Sequence, residues 1–421
     1  MQRYLSTLLI GLFVAGCATL HRQPKSMNKE SQIDALLLEA VYLESNGYYS
    51  IASSLYQKLY NLTGSKEILY KLIKNLIHAK RYAQAMNYIN QELKVHPDKK
   101  LYELAASAAL AKKEYNRAIF WITKALQIQK DPKDLEFLGS VYLAQKRYEL
   151  ALKYYKSAYA MHPTDQLVNT IAYIMYFYLD KKKEAIAYLE THIRMYGCEK
   201  STCATLASFY SLQNKIDGLI SIYKRLYQTY HEKIYLKKII ELYIYEKNFQ
   251  EAIIWAKKIG DKKLLLDLYR AVKDYEHAYQ LALQLYKEKK DPIYLAQAAI
   301  FEYERAKKKD ERLVKDVANK LEQTIKKLDN PLYENYLGYL YIEHNINVSR
   351  GIELVKKALE KEPDSPYYLD SLAWGYYKLH KCKDAWKIIH KVYYELGLKD
   401  PEIQFHLQKI QQCLKDERDT R

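Results

Sequence analysis

Four of the five cysteines fall into two pairs whose spacing could support disulfide chemistry. Cys198 and Cys203 bracket the tetrapeptide EKST, and Cys382 and Cys413 lie in two consecutive segments near the end of the chain. If those segments are antiparallel helices, the sulfurs of Cys382 and Cys413 lie at similar height, which predicts a staple between them. Cys198 to Cys203 is a looser candidate, and four buried free thiols are the alternative. Neither pair has the close CxxC spacing of a zinc site, so no metal site is predicted.

Motifs that carry catalysis or cofactor binding are missing from the sequence. It contains no GxxxxGK[ST], GxGxxG, HExxH or GxSxG motif and no EF-hand loop. The histidines show no convincing ligand spacing to one another or to carboxylates. A cell-wall enzyme built on a helical array would need a separate catalytic domain with an acidic glutamate, and the chain has no room for one. We therefore expect a protein that is not an enzyme and uses no cofactor.

The fifth cysteine, Cys17, ends a short apolar segment at the amino terminus. Arg3 gives this segment a positive leader, Leu5–Leu12 form its apolar middle, and Val14-Ala15-Gly16 are small residues that a signal peptidase can bind. The apolar run is about sixteen residues long, whereas a helix that crosses a bilayer needs roughly 20. These features predict a secretory signal over residues 1–16.

The tetrapeptide VAGC resembles the lipobox of bacterial lipoproteins, in which cleavage precedes the cysteine and its sulfur carries a diacylglycerol. The resemblance implies that Cys17 is the lipidated first residue of the mature protein and that residues 17–30 form a tether; a signal peptide with a coincidental cysteine is the alternative. Two or more acyl chains would anchor the protein stably. Ala18 follows the cysteine, which by resemblance to lipoprotein sorting favours the outer membrane, facing the periplasm.

The rest of the chain must be organised by helices. Glycine and proline are both scarce, at 12 and 9 residues, so tight turns between strands are not expected. The segment 135–163 has the order of large, small and aromatic residues that is typical of a tetratricopeptide (TPR) hairpin, including Gly139, Tyr142, Ala151 and Pro163. Small residues at Gly139 and Ala151 would let the two helices of the hairpin approach closely.

A small residue that opens the second helix of each hairpin can be followed along the whole chain. It recurs, with one leucine, at Ala52, Ala85, Ala118, Ala151, Ala185, Leu219, Ala252, Ala278, Ala318, Gly351 and Ala385. Most steps are 33 or 34 residues, but two are 26 and 40, which predicts a local irregularity, either a hinge or a tolerated indel. We predict an all-α TPR solenoid of about eleven hairpins over residues 31–397, and a capping helix and tail over 398–421.

The charge of the chain is strongly positive. Its 67 Lys and Arg against 50 Asp and Glu give a formal charge of +17, an excess that attracts phosphate polymers or anionic membranes. The lysines are spread along the chain and no base-reading motif accompanies them. We therefore expect a solvated basic surface that can lie against anionic lipid or cell wall, and no nucleic-acid partner.

The last two repeats carry a more specific resemblance. Residues 335–352 read NYLGYLYIEHNINVSRGI, residues 369–385 read LDSLAWGYYKLHKCKDA, and residues 400–407 read DPEIQFHL. Together they resemble the C-terminal part of large proteobacterial TPR lipoproteins, whose best understood type is the LbcA-like outer-membrane adaptor. The resemblance spans roughly residues 331–410, and this chain has Ala373 where glycine is usual. It implies an adaptor that binds a periplasmic carboxyl-terminal processing protease and its cell-wall hydrolase substrates.

Equivalent positions of the first helices of these two repeats form a stripe in which polar side chains lie beside aromatic and aliphatic ones. In a TPR array the first helix of each hairpin lines the concave face, and such a stripe suits the binding of a helix or extended peptide. The alternative is that these residues pack neighbouring repeats and that Asp370 caps a helix. A second apolar stretch, Ile174, Phe177 and Tyr178, would face the same hollow or belong to the core. The predicted partner-binding residues are Asn335, Tyr339, Ile342, Asp370, Trp374 and Tyr377.

These observations lead to one functional expectation with a rival. The expected protein is a lipid-anchored periplasmic TPR scaffold that binds protein partners, including a processing protease and cell-wall hydrolases, and attaches to the membrane through the lipid on Cys17. The rival is an assembly factor for an outer-membrane complex, either a pilotin-like protein or an activator of a cell-wall synthase.

Overall fold

The fold is helical throughout the residues that the structure describes. The structure is a computed structural model, and it describes residues 29–397 and 400–419. Within those ranges no strand is present, and none of the helices combines the length and the apolar character needed to cross a membrane. The helices are α1 (Lys29–Ser45), α2 (Tyr49–Thr63), α3 (Lys66–His78), α4 (Tyr82–Leu93), α5 (Lys99–Ala111), α6 (Tyr115–Ile128), α7 (Pro132–Ala144), α8 (Tyr148–Met161), α9 (Asp165–Tyr173), α10 (Lys182–Tyr196), α11 (Lys200–Leu212), α12 (Ile216–Tyr230), α13 (Lys233–Tyr245), α14 (Phe249–Ile259), α15 (Lys262–Ala271), α16 (Tyr275–Lys289), α17 (Pro292–Arg305), α18 (Glu311–Ile325), α19 (Pro331–Glu343), α20 (Val348–Lys361), α21 (Pro366–Lys378), α22 (Cys382–His390) and α23 (Pro401–Asp419). Two π-helical segments, Ile174–Tyr178 and Lys391–Glu395, extend α9 and α22.

The predicted TPR repeat is confirmed. Helices α1 to α22 form eleven consecutive hairpins, each an odd-numbered helix followed by an even-numbered one, and α23 closes the chain. In ten of the eleven hairpins the residue followed from the sequence is the fourth residue of the second helix, and it is buried in each case. A small side chain at this point allows close approach of the paired helix, which is why the position repeats.

The ninth hairpin departs from the predicted spacing. Its second helix begins at Glu311, so Val314, and not Ala318, is the fourth residue. Val314 is itself buried, with 1% of its surface exposed. The irregular stretch combines the short helix α15, of 10 residues, with the five-residue connection 306–310 between α17 and α18.

Turns within the hairpins share one backbone design. Nine of them contain three residues, and the middle residue has a positive φ in each: Gly47, Lys80, Lys113, Lys146, Asp180, Asn214, Lys247, Lys273 and His380. In the third hairpin, the amide of Glu114 donates to the carbonyl of Ala109 at 2.8 Å. This bond closes the Schellman turn that ends a helix with a left-handed residue. The middle residue therefore lies at the end of its hairpin.

The described chain divides into two compact units, with the boundary between Phe209 and Tyr210 inside α11. Each unit has its own buried apolar clusters. Those of the first unit include Tyr56, Leu72 and Ile89, and those of the second include Ile239 and Leu285.

The predicted signal peptide, Cys17 and nearly all of the predicted tether lie outside the described residues. Helix α1 begins at Lys29, two residues before the predicted start of the repeats. At the other end, α23 (Pro401–Asp419) corresponds to the predicted capping helix.

Candidate functional site

The predicted stripe on α19 and α21 lies beneath the C-terminal helix. Three buried residues of α23, namely Ile403, Leu407 and Ile410, pack in one cluster with Ala373 of α21 and with Ile389 of α22. The same helix places polar and aromatic side chains over the stripe itself. The chain thus occupies with its own last helix much of the surface that the sequence assigns to a partner.

A buried Asp–His pair joins α21 to α23. Nδ1 of His406 lies 3.0 Å from both carboxylate oxygens of Asp370, and the two residues are only 2% and 6% exposed. Burial raises the pKa of Asp370 above its ordinary value of 3.8, although the hydrogen bond with His406 acts in the opposite direction. Asp370 therefore holds the capping helix and is not a free polar head for a partner.

Trp374 is also largely enclosed. Its ring stacks on His406 with centroids 4.1 Å apart, and its Nε1 donates to the Glu343 carboxylate at 2.6 Å. Only 4% of Trp374 is exposed. It also stacks on Tyr377, with centroids 4.6 Å apart, and Tyr377 keeps part of its surface open.

The three remaining predicted residues, Tyr339, Ile342 and Asn335, differ in their burial and in their partners. Tyr339 donates its hydroxyl to Glu402 of α23, and burial together with that carboxylate raises the pKa of Tyr339 far above its ordinary range. Ile342 is completely buried and packs against Val355 and Trp374. The side-chain oxygen of Asn335 is buried and has no hydrogen-bond partner among the described residues.

Ile342, Asp370 and Trp374 are therefore buried in this structure, and their role in partner binding stays a prediction. Asp370 and Trp374 lie between α21 and α23, whereas Ile342 packs against α20 and α21. Helix α23 thereby covers apolar surface of the eleventh hairpin. Asn335, Tyr339 and Tyr377 are each partly exposed, and of these three Tyr377 lines an open cleft.

An open cleft of about 730 Å³ remains beside this packed region. Its walls come from the ends of α19, α21 and α22 and from the second half of α23. The lining residues are Asn345, Trp374, Tyr377, Lys378, His380, Cys382, Lys409, Gln412, Cys413 and Asp416. Its volume falls in the range of pockets that hold small ligands or single side chains of a partner.

The two lysines of the cleft differ in how freely they can bind a partner's anion. Nζ of Lys378 donates to the backbone carbonyl of Glu343 at 3.0 Å and lies 3.8 Å from its carboxylate. Gln412 donates to Asp416 at 2.8 Å. Lys409 is exposed, and within the described chain no carboxylate lies within ion-pair distance of it. The cleft thus offers an aromatic ring, Tyr377, beside an accessible cation, Lys409.

The structure contains both cysteine pairings that the sequence suggests. Cys382 is bonded to Cys413, with Cα atoms 5.8 Å apart, and Cys198 is bonded to Cys203, with Cα atoms 5.6 Å apart. The first bond links the start of α22 to α23 and forms part of the cleft wall. These pairings stay predictions until the thiols are counted in the isolated protein.

A second His–carboxylate contact, between a buried histidine and a partly exposed aspartate, lies in the first unit, where sequence spacing did not indicate one. Nε2 of His192 lies 3.1 Å from Asp165, and its Nδ1 lies 2.7 Å from the hydroxyl of Tyr159. Thr202 donates to the same Asp165 oxygen at 2.6 Å. Burial raises the pKa of Tyr159, which makes the phenol a poorer nucleophile at neutral pH. This network ties neighbouring hairpins together.

Metal-type side chains do not converge anywhere in the described parts of the chain, since no group of three or more His, Cys, Asp or Glu could hold an ion there. The second apolar stretch divides between interior and surface. Ile174 is buried, whereas Phe177 and Tyr178 are 48% and 44% exposed.

His406, Lys378 and Lys409 were missed as site residues by the sequence reasoning. His406 lies inside the DPEIQFHL segment, but its partner Asp370 is 36 residues earlier, one repeat plus two residues away. That near-repeat separation is the signal that could have paired them. The position of Lys409 on the open side of α23 has no sequence signal beyond helical periodicity.

One family profile matches part of the chain. The family described as "Anaphase-promoting complex, cyclosome, subunit 3" matches residues 111–192, a stretch that runs from the turn of the third hairpin through the fifth. It is a family of TPR-like repeats. No curated protein matches the chain significantly.

Three of the solved structures to which the chain is similar are the following. A Pseudomonas aeruginosa pilF structure is 15% identical, covers 49% of this chain and 95% of its own, and has a TM-score of 0.36. The Cut9–Hcn1 hetero-tetramer of the anaphase-promoting complex is 12% identical, with 90% and 96% covered and a TM-score of 0.36. YrrB, a TPR protein described as having an unusual peptide-binding site, is 12% identical, with 43% and 94% covered and a TM-score of 0.32.

Proposed function

We propose that this protein is a lipid-anchored scaffold of the bacterial cell envelope that binds protein partners and brings a processing protease to cell-wall hydrolase substrates. TPR-type repeats generally act as protein-interaction scaffolds and are generally not enzymes. The observation that carries the proposal is the array of eleven hairpins with an aromatic and cationic cleft at its C-terminal end. Anchoring would raise the effective concentration of partners at the membrane without any chemical step.

The membrane attachment rests on the sequence VAGC at residues 14–17. Replacing Cys17 by serine removes the sulfur that accepts the lipid. The Cys17→Ser chain should remain unprocessed and should not incorporate labelled fatty acid. Normal processing and labelling of this variant would refute the lipoprotein assignment and leave the partner-binding role untouched.

The cleft suits an extended segment of a partner that ends in, or contains, an apolar side chain next to a carboxylate. The apolar group would lie on the open face of Tyr377, and the carboxylate would pair with Lys409. Lys378 would contribute less, because Glu343 already engages it. Such a contact combines a rigid ring with a charge-assisted hydrogen bond, which is the usual composition of an energetically important contact.

The test is a crosslinked pull-down from cell envelopes with the wild-type chain and a Tyr377→Ala/Lys409→Glu variant. The matched control is Tyr367→Ala, because Tyr367 lies on the same helix, is 57% exposed and is not part of the cleft. We expect a processing protease or a hydrolase to be captured by the wild type and the control and to be lost with the cleft variant.

Other outcomes of this pull-down have definite meanings. Capture of the same partners by all three chains would refute the cleft as the binding site. Capture of secretin or cell-wall synthase components instead would support the role of an assembly factor and would refute the protease adaptor.

A further inference from the structure

One edge of the first unit carries a row of cations that partner binding at the cleft does not use. The turns of the second to fifth hairpins, with the first three residues of each following helix, have formal charges of +2, +2, +1 and +1. The corresponding segments of the sixth to eighth hairpins have charges of 0, −1 and −1. The same count gives +2, +1 and +1 for the ninth to eleventh hairpins, so the described chain has two runs of positive turns. We call the run of four turns in the first unit the basic ridge.

The geometry of the turns places these charges side by side. Arg81, in the second turn, donates to Ser50 at the start of α2, with a distance of 2.8 Å. Lys181, in the fifth turn, lies 2.9 Å from Glu149 at the start of α8. Contacts between one turn and the hairpin before it show that the turns follow one another along an edge. Neighbouring turns are then about 10 Å apart, the distance of packed helices.

Three lysines of the basic ridge are free to bind an anion. Lys80, Lys113 and Lys146 occupy the left-handed middle position of successive turns, and all three are exposed. In the described part of the chain none of them has a carboxylate within ion-pair distance. Other ridge cations are partly neutralised, such as Lys182, which lies 3.0 Å from Asp180.

Exposed apolar side chains lie at both ends of the basic ridge. The first hairpin presents Tyr48 and Ile51, which are 57% and 55% exposed, next to its turn. The fifth presents Phe177 and Tyr178 just before its turn. Aromatic residues next to lysines are characteristic of surfaces that lie in the headgroup region of a bilayer. An anionic polymer would need the cations and would have no use for these apolar ends.

We propose that the basic ridge lies against the anionic headgroups of a phospholipid membrane, with Tyr48, Ile51, Phe177 and Tyr178 entering the interface at its ends. This contact would orient the first unit on the membrane by its hairpin turns. It goes beyond the scaffold role and does not depend on which partner the cleft binds.

The test measures the reactivity of individual lysines in the full chain reconstituted into vesicles. Amines are labelled with an acylating reagent, and each site is quantified by mass spectrometry. One set of vesicles contains only phosphatidylcholine, and the other contains equal parts of phosphatidylcholine and phosphatidylglycerol. Lys247 and Lys273 serve as internal controls, because they occupy the same left-handed turn position in the second unit and are exposed.

We expect Lys80, Lys113 and Lys146 to react about fivefold more slowly in the anionic vesicles, the factor that one cation contributes at an anionic surface. Added salt should remove the protection. Lys247 and Lys273 should react equally in both vesicles. Attachment to the vesicle through the proposed lipid on Cys17 is common to both samples and cannot produce a difference between these two groups of lysines.

Two results would overturn the proposal. If each ridge lysine reacted at the same rate in the anionic vesicles as in the phosphatidylcholine vesicles, as the control lysines should, the ridge would not contact the lipid. Protection of the ridge lysines by inorganic polyphosphate in phosphatidylcholine vesicles, without protection by phosphatidylglycerol, would reassign the ridge to an anionic polymer. A Lys80→Gln/Lys113→Gln/Lys146→Gln chain should also lose the lipid-dependent protection of neighbouring Lys182, whereas Lys247→Gln/Lys273→Gln should keep it.

Discussion

The bond between Cys382 and Cys413 should hold the capping helix in place, and its removal can be given a magnitude. The two cysteines are separated by 31 residues and connect the start of α22 to α23. We consider the Cys382→Ala/Cys413→Ala chain, in which alanine avoids placing a serine hydroxyl at the buried Cys382. The interior contacts of Ile403, Leu407 and Ile410 remain in that variant.

The stabilisation follows from the entropy of closing the loop in the unfolded chain. For a separation of 31 residues, the chain-entropy relation gives about 12 cal/mol/K, or about 3.7 kcal/mol at room temperature. The bond between Cys198 and Cys203 closes only 5 residues, for which the same relation gives about 2 kcal/mol. Removing the C-terminal bond should therefore have the larger effect.

Amide hydrogen exchange of α23, followed by mass spectrometry of its peptides, measures the opening of the cap directly. Loss of about 3.7 kcal/mol should raise the exchange rate of α23 about 400-fold when opening is at equilibrium. The amides of α3 and α5, in the first unit, should be unchanged because each repeat is stabilised mainly by its neighbours.

The Cys198→Ala/Cys203→Ala chain is the matched control. It removes a disulfide from the first unit and should increase exchange at the start of α11 while leaving α23 as in the wild type. Thiol counting with and without reductant must first find no free thiols among these four cysteines. Four free thiols, or equal exchange of α23 in the wild type and the Cys382→Ala/Cys413→Ala chain, would refute the reasoning.

Three further predictions concern single residues. In a urea titration, Lys113→Gly should stabilise the protein by about 0.5–1 kcal/mol. The left-handed conformation costs an L-residue about 1–2 kcal/mol, and the greater unfolded-chain entropy of glycine removes part of this gain. The control Lys153→Gly, in the interior of α8, should destabilise the protein by about 0.7 kcal/mol. Gly338→Ala should lower the unfolding free energy by about 1–3 kcal/mol through overpacking, because its new methyl group would lie 2.7 Å from a backbone oxygen of α20. The new methyl group of Gly139→Ala would meet only a tyrosine ring at 3.0 Å, so this variant should lose less stability. Equal decreases in melting temperature for the two variants would contradict this reasoning. Burial raises the pKa of Asp370 above 3.8 in the folded state, so its protonation stabilises the fold below about pH 4, and this contribution is lost as the pH rises through the folded-state pKa. The unfolding free energy of Asp370→Asn should therefore decrease less between pH 4 and pH 7 than that of the wild type. Parallel curves of unfolding free energy against pH for the two chains would exclude the linkage.

The sequence by itself was sufficient for the repeat. Small residues recur at intervals of 33 or 34 because every hairpin must solve the same packing problem against its own partner helix. The same local logic sets the three-residue turns, whose middle residue takes a left-handed conformation. The one position misassigned, Ala318 in place of Val314, lies where an inserted connection breaks the period.

Which surface the last helix covers was decided only by the tertiary structure. The stripe of Asp370 and Trp374 has the composition of a binding surface, and nothing local distinguishes a groove open to a partner from one filled by the chain itself. Helix α23 occupies it because the terminal repeat has apolar surface that must be covered, and His406 supplies the partner that makes burial of Asp370 tolerable. The cleft beside Tyr377 and Lys409 is what that packing leaves open, so its place follows from how helices far apart in the sequence fit together.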